Sequence, residues 1–155
     1  MRFFRILIVD DFERFRNVVC TLLQQSGPFQ MTEVSDGMEA VQKFEELKPD
    51  LMLLDISLPG LNGLDVARRL DAASKTLFLS QESSSDVVRE ALGLGAGYVH
   101  KLDVKSELLP AIEAVLEGKR YVSSSLEASE SAEMQTLQDS NTLIFPLTPS
   151  ARNIY

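Results

Sequence analysis

Leu51-Met52-Leu53-Leu54-Asp55-Ile56-Ser57-Leu58-Pro59-Gly60 is the stretch that decides the fold of this chain. Four consecutive apolar residues suit a strand covered on both faces, as strands of a parallel sheet are. The run stops on one carboxylate, and Pro59-Gly60 marks a turn soon after it. A strand ending this way sets Asp55 at the carboxyl edge of the sheet, where open α/β sheets bind ligands and do chemistry. Near the N-terminus a second apolar run, Ile6-Leu7-Ile8-Val9, ends on Asp10-Asp11. If the two strands are neighbours, three carboxylates meet. Their mutual repulsion costs free energy unless a cation or a proton compensates it. The pattern points to a hard divalent metal with phosphoryl chemistry beside it.

Working outward, strand-like and helix-like segments alternate. Strands are predicted at 4–10, 30–34, 51–54, 76–80 and 97–100. Helices are predicted at 12–25, 36–47, 63–70, 83–94 and 106–116 from apolar residues three and four apart. In the first helix these are Phe15, Val18, Val19, Leu22 and Leu23; in the second, Ala40, Val41 and Phe44. Ser35 or Asp36 can cap the second helix, and Ser83-Ser84-Ser85 offers caps for the fourth. Pro110 is expected in the first turns of the last helix, where proline is best tolerated, and Gly118 closes that helix. The alternation predicts an α/β fold: a doubly wound, five-stranded parallel sheet with helices on both faces. The flavodoxin-like strand order 2-1-3-4-5 puts strands one and three together, and Asp10, Asp11 and Asp55 with them.

The chain has 155 residues, of which 45% are hydrophobic, and a net charge of −8. One domain occupies 1–122, and 123–155 is a polar, serine- and glutamate-rich tail expected to be flexible. The acidic balance argues against direct binding of nucleic acid, which calls for clustered Lys and Arg. No apolar run approaches the ~20 residues a membrane span needs. Met1-Arg2-Phe3-Phe4-Arg5 leads straight into a strand and does not read as a signal peptide, so a cytoplasmic location is expected. The single cysteine, Cys20, excludes an internal disulfide framework and lies in an apolar helical run, where a buried inert thiol is expected.

Asp10-Asp11 and Asp55, Pro59 and Gly63 beyond it, Ser80 at the end of the fourth strand, and Tyr98 and Lys101 on the fifth resemble the receiver domain of two-component response regulators. Gly95-Ala96-Gly97-Tyr98, Glu107-Leu108-Leu109 and the stretch 118–123 are similar to receivers of the NarL/FixJ type. Those are normally followed by a helix-turn-helix; none is recognisable in the tail. The resemblance implies a phosphoprotein of a phosphorelay, with Asp55 as the phosphoacceptor for a histidine kinase or phosphotransfer protein. It implies Mg2+ (or Mn2+) held by Asp10, Asp11, Asp55 and the backbone carbonyl of Ser57. Lys101 would pair with a phosphate oxygen, the Ser80 hydroxyl would donate to another, and Tyr98 would follow as a rotamer switch. A switched face would then meet an output protein, and a homodimer is possible. The chain departs from the pattern in a short connection between Leu70 and Thr76, a short approach to Tyr98, and Leu102 after Lys101 where many receivers have proline.

Each residue has a plainer reading. Asp10-Asp11 can be a helix cap with a dipole-favoured acid. Ser80 and Lys101 alone are common surface residues, and Tyr98 can be simple packing. His100, the only histidine, has no partner histidine and is read as a packing or surface residue. Other functions remain open: a receiver fragment of a DNA-binding transcriptional regulator, or a pseudo-receiver scaffold that is never phosphorylated. A phosphatase of the haloacid-dehalogenase type also uses a strand-end aspartate with Mg2+. It needs a second acid two residues on, however, and here that position is Ser57. An enzyme is therefore not expected.

Overall fold

The computed structural model describes residues 3–126. Its elements alternate in chain order: β1 (Phe4–Val9), α1 (Glu13–Gln24), β2 (Phe29–Val34), α2 (Gly37–Leu47), β3 (Leu51–Leu54), α3 (Gly63–Leu70), β4 (Thr76–Ser80), α4 (Ser85–Leu94), β5 (Gly97–His100), α5 (Val104–Leu116) and β6 (Tyr121–Val122). All pairings are parallel, in the order β2-β1-β3-β4-β5-β6. One unit of the chain ends at Ser123 and a second begins at Ser124; of the second, residues 124–126 are described and have helical backbone. The tail expected over 123–155 lies almost wholly outside the described residues. No helix among them is long and apolar enough to cross a membrane.

The apolar runs form the middle of the sheet. Ile6, Leu7, Ile8, Val9 and all of β3 are buried, with helices on both faces. On one face, Val19 and Leu23 of α1 and Leu108, Ala111, Ile112 and Val115 of α5 close a core with Ile6, Ile8, Leu51 and Leu53. Val18, predicted to face inward, lies at the border of that stripe and is exposed. Asp36 caps α2 by accepting from Glu39 N at 2.8 Å, and Asn62 caps α3 by accepting from Asp65 N at 3.0 Å. Ser84 occupies the cap position of α4, but its side chain makes no capping bond.

The expected five-stranded sheet is corrected to six strands. After α5, Gly118 adopts a left-handed backbone (φ +83°), and the chain returns along the outer edge of β5. There Tyr121 N donates to Ala96 O at 3.3 Å and Ser123 N to Tyr98 O at 2.9 Å. A strand of two residues carries no periodicity of its own, so only the neighbouring β5 edge makes it visible. The last helix also starts earlier than predicted, at Val104, which leaves Pro110 inside it and not in its first turns. A 3-10 turn, Ala73–Lys75, fills the connection from α3 to β4. Among the described residues no peptide bond is cis.

Gly97 makes the sixth strand possible, because a Cβ there would come within 2.6 Å of Tyr121 O and 2.9 Å of Leu77 Cδ1. Gly97→Ala should therefore lose about 1–3 kcal/mol. In hydrogen exchange, the Tyr121 and Ser123 amides should lose protection first, while those of β1 and β3 keep theirs.

Candidate functional site

Register builds the site. Val9 pairs with Leu54 across β1 and β3. The residues that follow, Asp10 and Asp55, therefore leave the sheet side by side. The backbone reinforces this: Asp55 N donates to Val9 O at 3.0 Å and Asp10 N to Val34 O at 3.1 Å. Beyond Asp55 the chain turns sharply, with Gly63 N donating to Ile56 O at 2.8 Å. A Cβ on Gly63 would overlap the Asp55 carbonyl, so only glycine allows α3 to begin this close to the strand end.

Asp10 and Asp55 are only 2% and 4% exposed, whereas Asp11 faces solvent. One carboxylate oxygen from each of the three lies within 4.8 Å of the others. Lys101, just past β5, reaches across to this cluster. Its Nζ is 2.7 Å from Asp10 Oδ2 and 3.1 Å from Asp55 Oδ2. Only the Asp55 contact has hydrogen-bond geometry; Asp10 Oδ2 has the ammonium beside it but no directed donor. Asp10 Oδ1 accepts from Phe12 N at 2.8 Å, and Ser57 N is a distant donor to Asp55 Oδ1 at 3.4 Å.

Electrostatics follow from burial. Desolvation, with the Asp10 charge adding to it, pushes the Asp55 carboxyl up from 3.8 to about 6; Lys101 offsets part of this. Burial alone would lower the Lys101 ammonium, but the carboxylates of Asp10 and Asp55 beside it prevail and raise it. This cluster has one strong cation for three acids. Its donors are hard carboxylate oxygens, and one buried oxygen lacks a directed donor. That set fits Mg2+ or Mn2+.

Ser80 and Tyr98 meet at the loop between β4 and α4 and do not touch the carboxylates. Ser80, 1% exposed, accepts from Glu82 N at 3.2 Å. Tyr98 is fully buried against Phe78 (ring centroids 6.2 Å apart), and its hydroxyl donates to Glu82 O at 2.8 Å. Burial pushes the phenol up to about 12, with the Ser80 hydroxyl acting in the opposite direction. Among the described residues, Ser80 makes no hydrogen bond to Asp55.

Two supports of the site were missed in the sequence. Phe15 was counted only as core, yet Lys101 Nζ sits 4.4 Å from the centre of its ring. Arg16 reads as an ordinary helix-surface arginine. It donates from Nη1 to Asp10 O at 2.7 Å and pairs with Glu33 at 3.0 Å, which anchors the acid's backbone. Neither residue carries a local signal, because each contact crosses between elements. Cys20 is half-buried, and burial, with Glu33 beside it, pushes its thiol up to about 11, far from a reactive thiolate.

Comparison with known proteins agrees with this geometry. Residues 6–113 match the family model described as the response regulator receiver domain. The DNA-binding response regulator MtrA of Mycolicibacterium smegmatis is 38% identical over 72% of this chain and 50% of its own length. The chain thus spans about half the length of the curated relatives it matches first. Among solved structures, a LuxR-family two-component response regulator from Aurantimonas sp. SI85-9A1 superposes with a TM-score of 0.78. It is 31% identical, over 87% of this chain and 99% of that one. The signal receiver domain of NarL from Mycobacterium tuberculosis gives 0.71, at 28% identity over 77% and 100%.

The raised Asp55 carboxyl has a stability consequence of defined sign. Between pH 4 and 6 the folded chain holds a proton that the unfolded chain has lost. Stability of the metal-free protein therefore falls as pH rises through that window. Urea midpoints of wild type and Asp55→Asn should diverge in favour of Asn as pH rises from 4 to 7, and Mg2+ should narrow the gap. Divergence in the opposite direction would contradict the desolvation argument.

Proposed function

The chain belongs to the response regulator receiver domain family, and on that premise we propose that Asp55 takes a phosphoryl group from a histidine kinase or phosphotransfer protein. The observation that carries this reading is Lys101 Nζ held between the buried carboxylates of Asp10 and Asp55 at the carboxyl edge of the sheet. An Asp55 carboxylate oxygen attacks phosphorus, and the O–P bond forms as the donor's N–P bond breaks. The leaving imidazole keeps the bonding pair and takes a proton from solvent, and an acyl phosphate remains on Asp55.

Asp10, Asp11, Asp55 and the Ser57 backbone carbonyl are the proposed ligands of Mg2+ or Mn2+. When bound, the metal would neutralise acid charge and the charge on the moving phosphoryl group. Lys101 pairs with a phosphate oxygen as a fixed point charge. The Ser80 hydroxyl, within the loop that Tyr98 also holds, gives the new phosphate a partner whose engagement repositions that loop. Tyr98 then adjusts with it, and the changed face is what an output protein or a second copy reads. The proposed setting is the cytoplasm, where such a kinase domain works. Residues 1–122 are proposed as the receiver and 123–155 as a polar tail outside it.

Acetyl phosphate with Mg2+ should add one phosphoryl group, measured by intact mass, and Asp55→Asn should abolish it. Lys101→Met should slow labelling about 10- to 100-fold, the scale of a lost charge-assisted contact. Wild type that takes up no phosphoryl group would overturn the reading and favour a scaffold that works unphosphorylated.

The chain's similarity to the DNA-binding response regulator MtrA favours a second reading of the output: this receiver controls a DNA-binding partner or module. A gel shift with and without phosphorylation tests whether this chain itself binds DNA. With a net charge of −8, the chain alone should give no shift in either state.

A further inference from the structure

His100 ends β5 one residue before Lys101, and it is 9% exposed. Its side chain joins two loops. Nε2 lies 3.0 Å from Gln81 O, in the β4–α4 loop directly after Ser80. Nδ1 lies 3.1 Å from Leu102 N, directly after Lys101, and caps the 3-10 turn Lys101–Asp103. A carbonyl can only accept and a backbone N–H can only donate. The two contacts together therefore assign one tautomer, the neutral imidazole with its proton on Nε2. The backbone is held as well, since His100 N donates to Ser123 Oγ at 3.0 Å.

We propose that His100 is a positioning residue: its neutral imidazole braces the Ser80 loop against the Lys101 turn, so that both phosphate-facing side chains are held ready. The inference rests on the phosphoacceptor reading above. Three features carry it. The imidazole is largely buried between the loops, and its bonds go to Gln81 and Leu102 rather than to the acids. Both ring nitrogens have partners whose roles are mutually consistent. Each partner is the immediate sequence neighbour of a residue assigned to the phosphate, Gln81 of Ser80 and Leu102 of Lys101. A residue that only filled space would need neither bond.

The two bonds can be separated chemically. Asparagine can accept from the N–H two residues on, as Nδ1 does here, but it is too short to span to Gln81. His100→Asn should therefore restore the Leu102 cap alone. Leu102→Pro removes the N–H that Nδ1 accepts and leaves the imidazole in place.

The test uses the full chain with Mg2+ and beryllofluoride as the phosphoryl mimic, titrated by calorimetry, with ¹⁵N NMR of the imidazole. The imidazole should show the Nε2–H tautomer. His100→Ala should weaken beryllofluoride binding about fivefold, the scale of one or two neutral hydrogen bonds. His100→Asn should recover part of that loss, and Leu102→Pro should reproduce part of it. Should His100→Ala fail to fold, the Asn and Pro variants decide the matter. Unchanged affinity in these variants, a lower melting temperature without any rescue by Asn, or an Nδ1–H tautomer would each overturn the brace. Wild type that binds no beryllofluoride would instead overturn the phosphoacceptor reading, and this inference with it.

Discussion

Two carboxylates buried side by side need a compensating charge, and most of the upper edge of this protein is arranged to supply one. Parallel register between β1 and β3 brings Asp10 and Asp55 together whether or not their charges agree. Lys101 answers them from the turn that follows β5, with its ammonium between the two acids and its approach lined by the Phe15 ring. One cation leaves three acids under-compensated. Burial, with the charge of Asp10 adding to it, raises the Asp55 carboxyl, and the three acids together form a cluster that could hold a metal ion.

The rest of the edge follows from that arrangement. Arg16 holds the Asp10 backbone from α1, and Gly63 lets α3 start against the Asp55 carbonyl. Both contacts fix the backbone of the two buried acids, so the separation of their carboxylates is set by packing. On the far side of the sheet edge, Ser80 and Tyr98 hold the same loop through opposite ends of one residue, Glu82 N and Glu82 O. A loop tied at two points to buried groups tends to have discrete arrangements and not a continuum, which suits a switch. Below this edge the sheet is a plain apolar core, and its sequence carries no functional message.

The fold was legible because its signals are local. Four or five apolar residues ending on an acid identify a buried parallel strand, and the repeats of strand and helix leave few topologies. The acid trio was legible for the same reason: each member immediately follows a readable strand. Elements with weak local signals were misjudged. β6 has two residues and exists because the β5 edge is there to pair with it. The serine run before α4 offers three hydroxyls, yet Ser84 at the cap position makes no side-chain capping bond. Pro110 was expected near a helix start, but the helix extends to Val104, whose side chain gains burial by joining it.

By itself the sequence determined the α/β class, the order of the five main strands, and the grouping of Asp10, Asp11 and Asp55, since strand periodicity and strand ends are written in consecutive residues. Only the tertiary structure decided which oxygen Lys101 favours, that Phe15 and Arg16 support the site, and that His100 joins two loops. It also decided that Tyr98 lies inward on Glu82. Most of those contacts join different elements of the fold, and their distances depend on how helices and loops pack over the sheet. Local pattern places a residue on a strand end or a helix face. The partner it meets there is set by the packing of the whole domain.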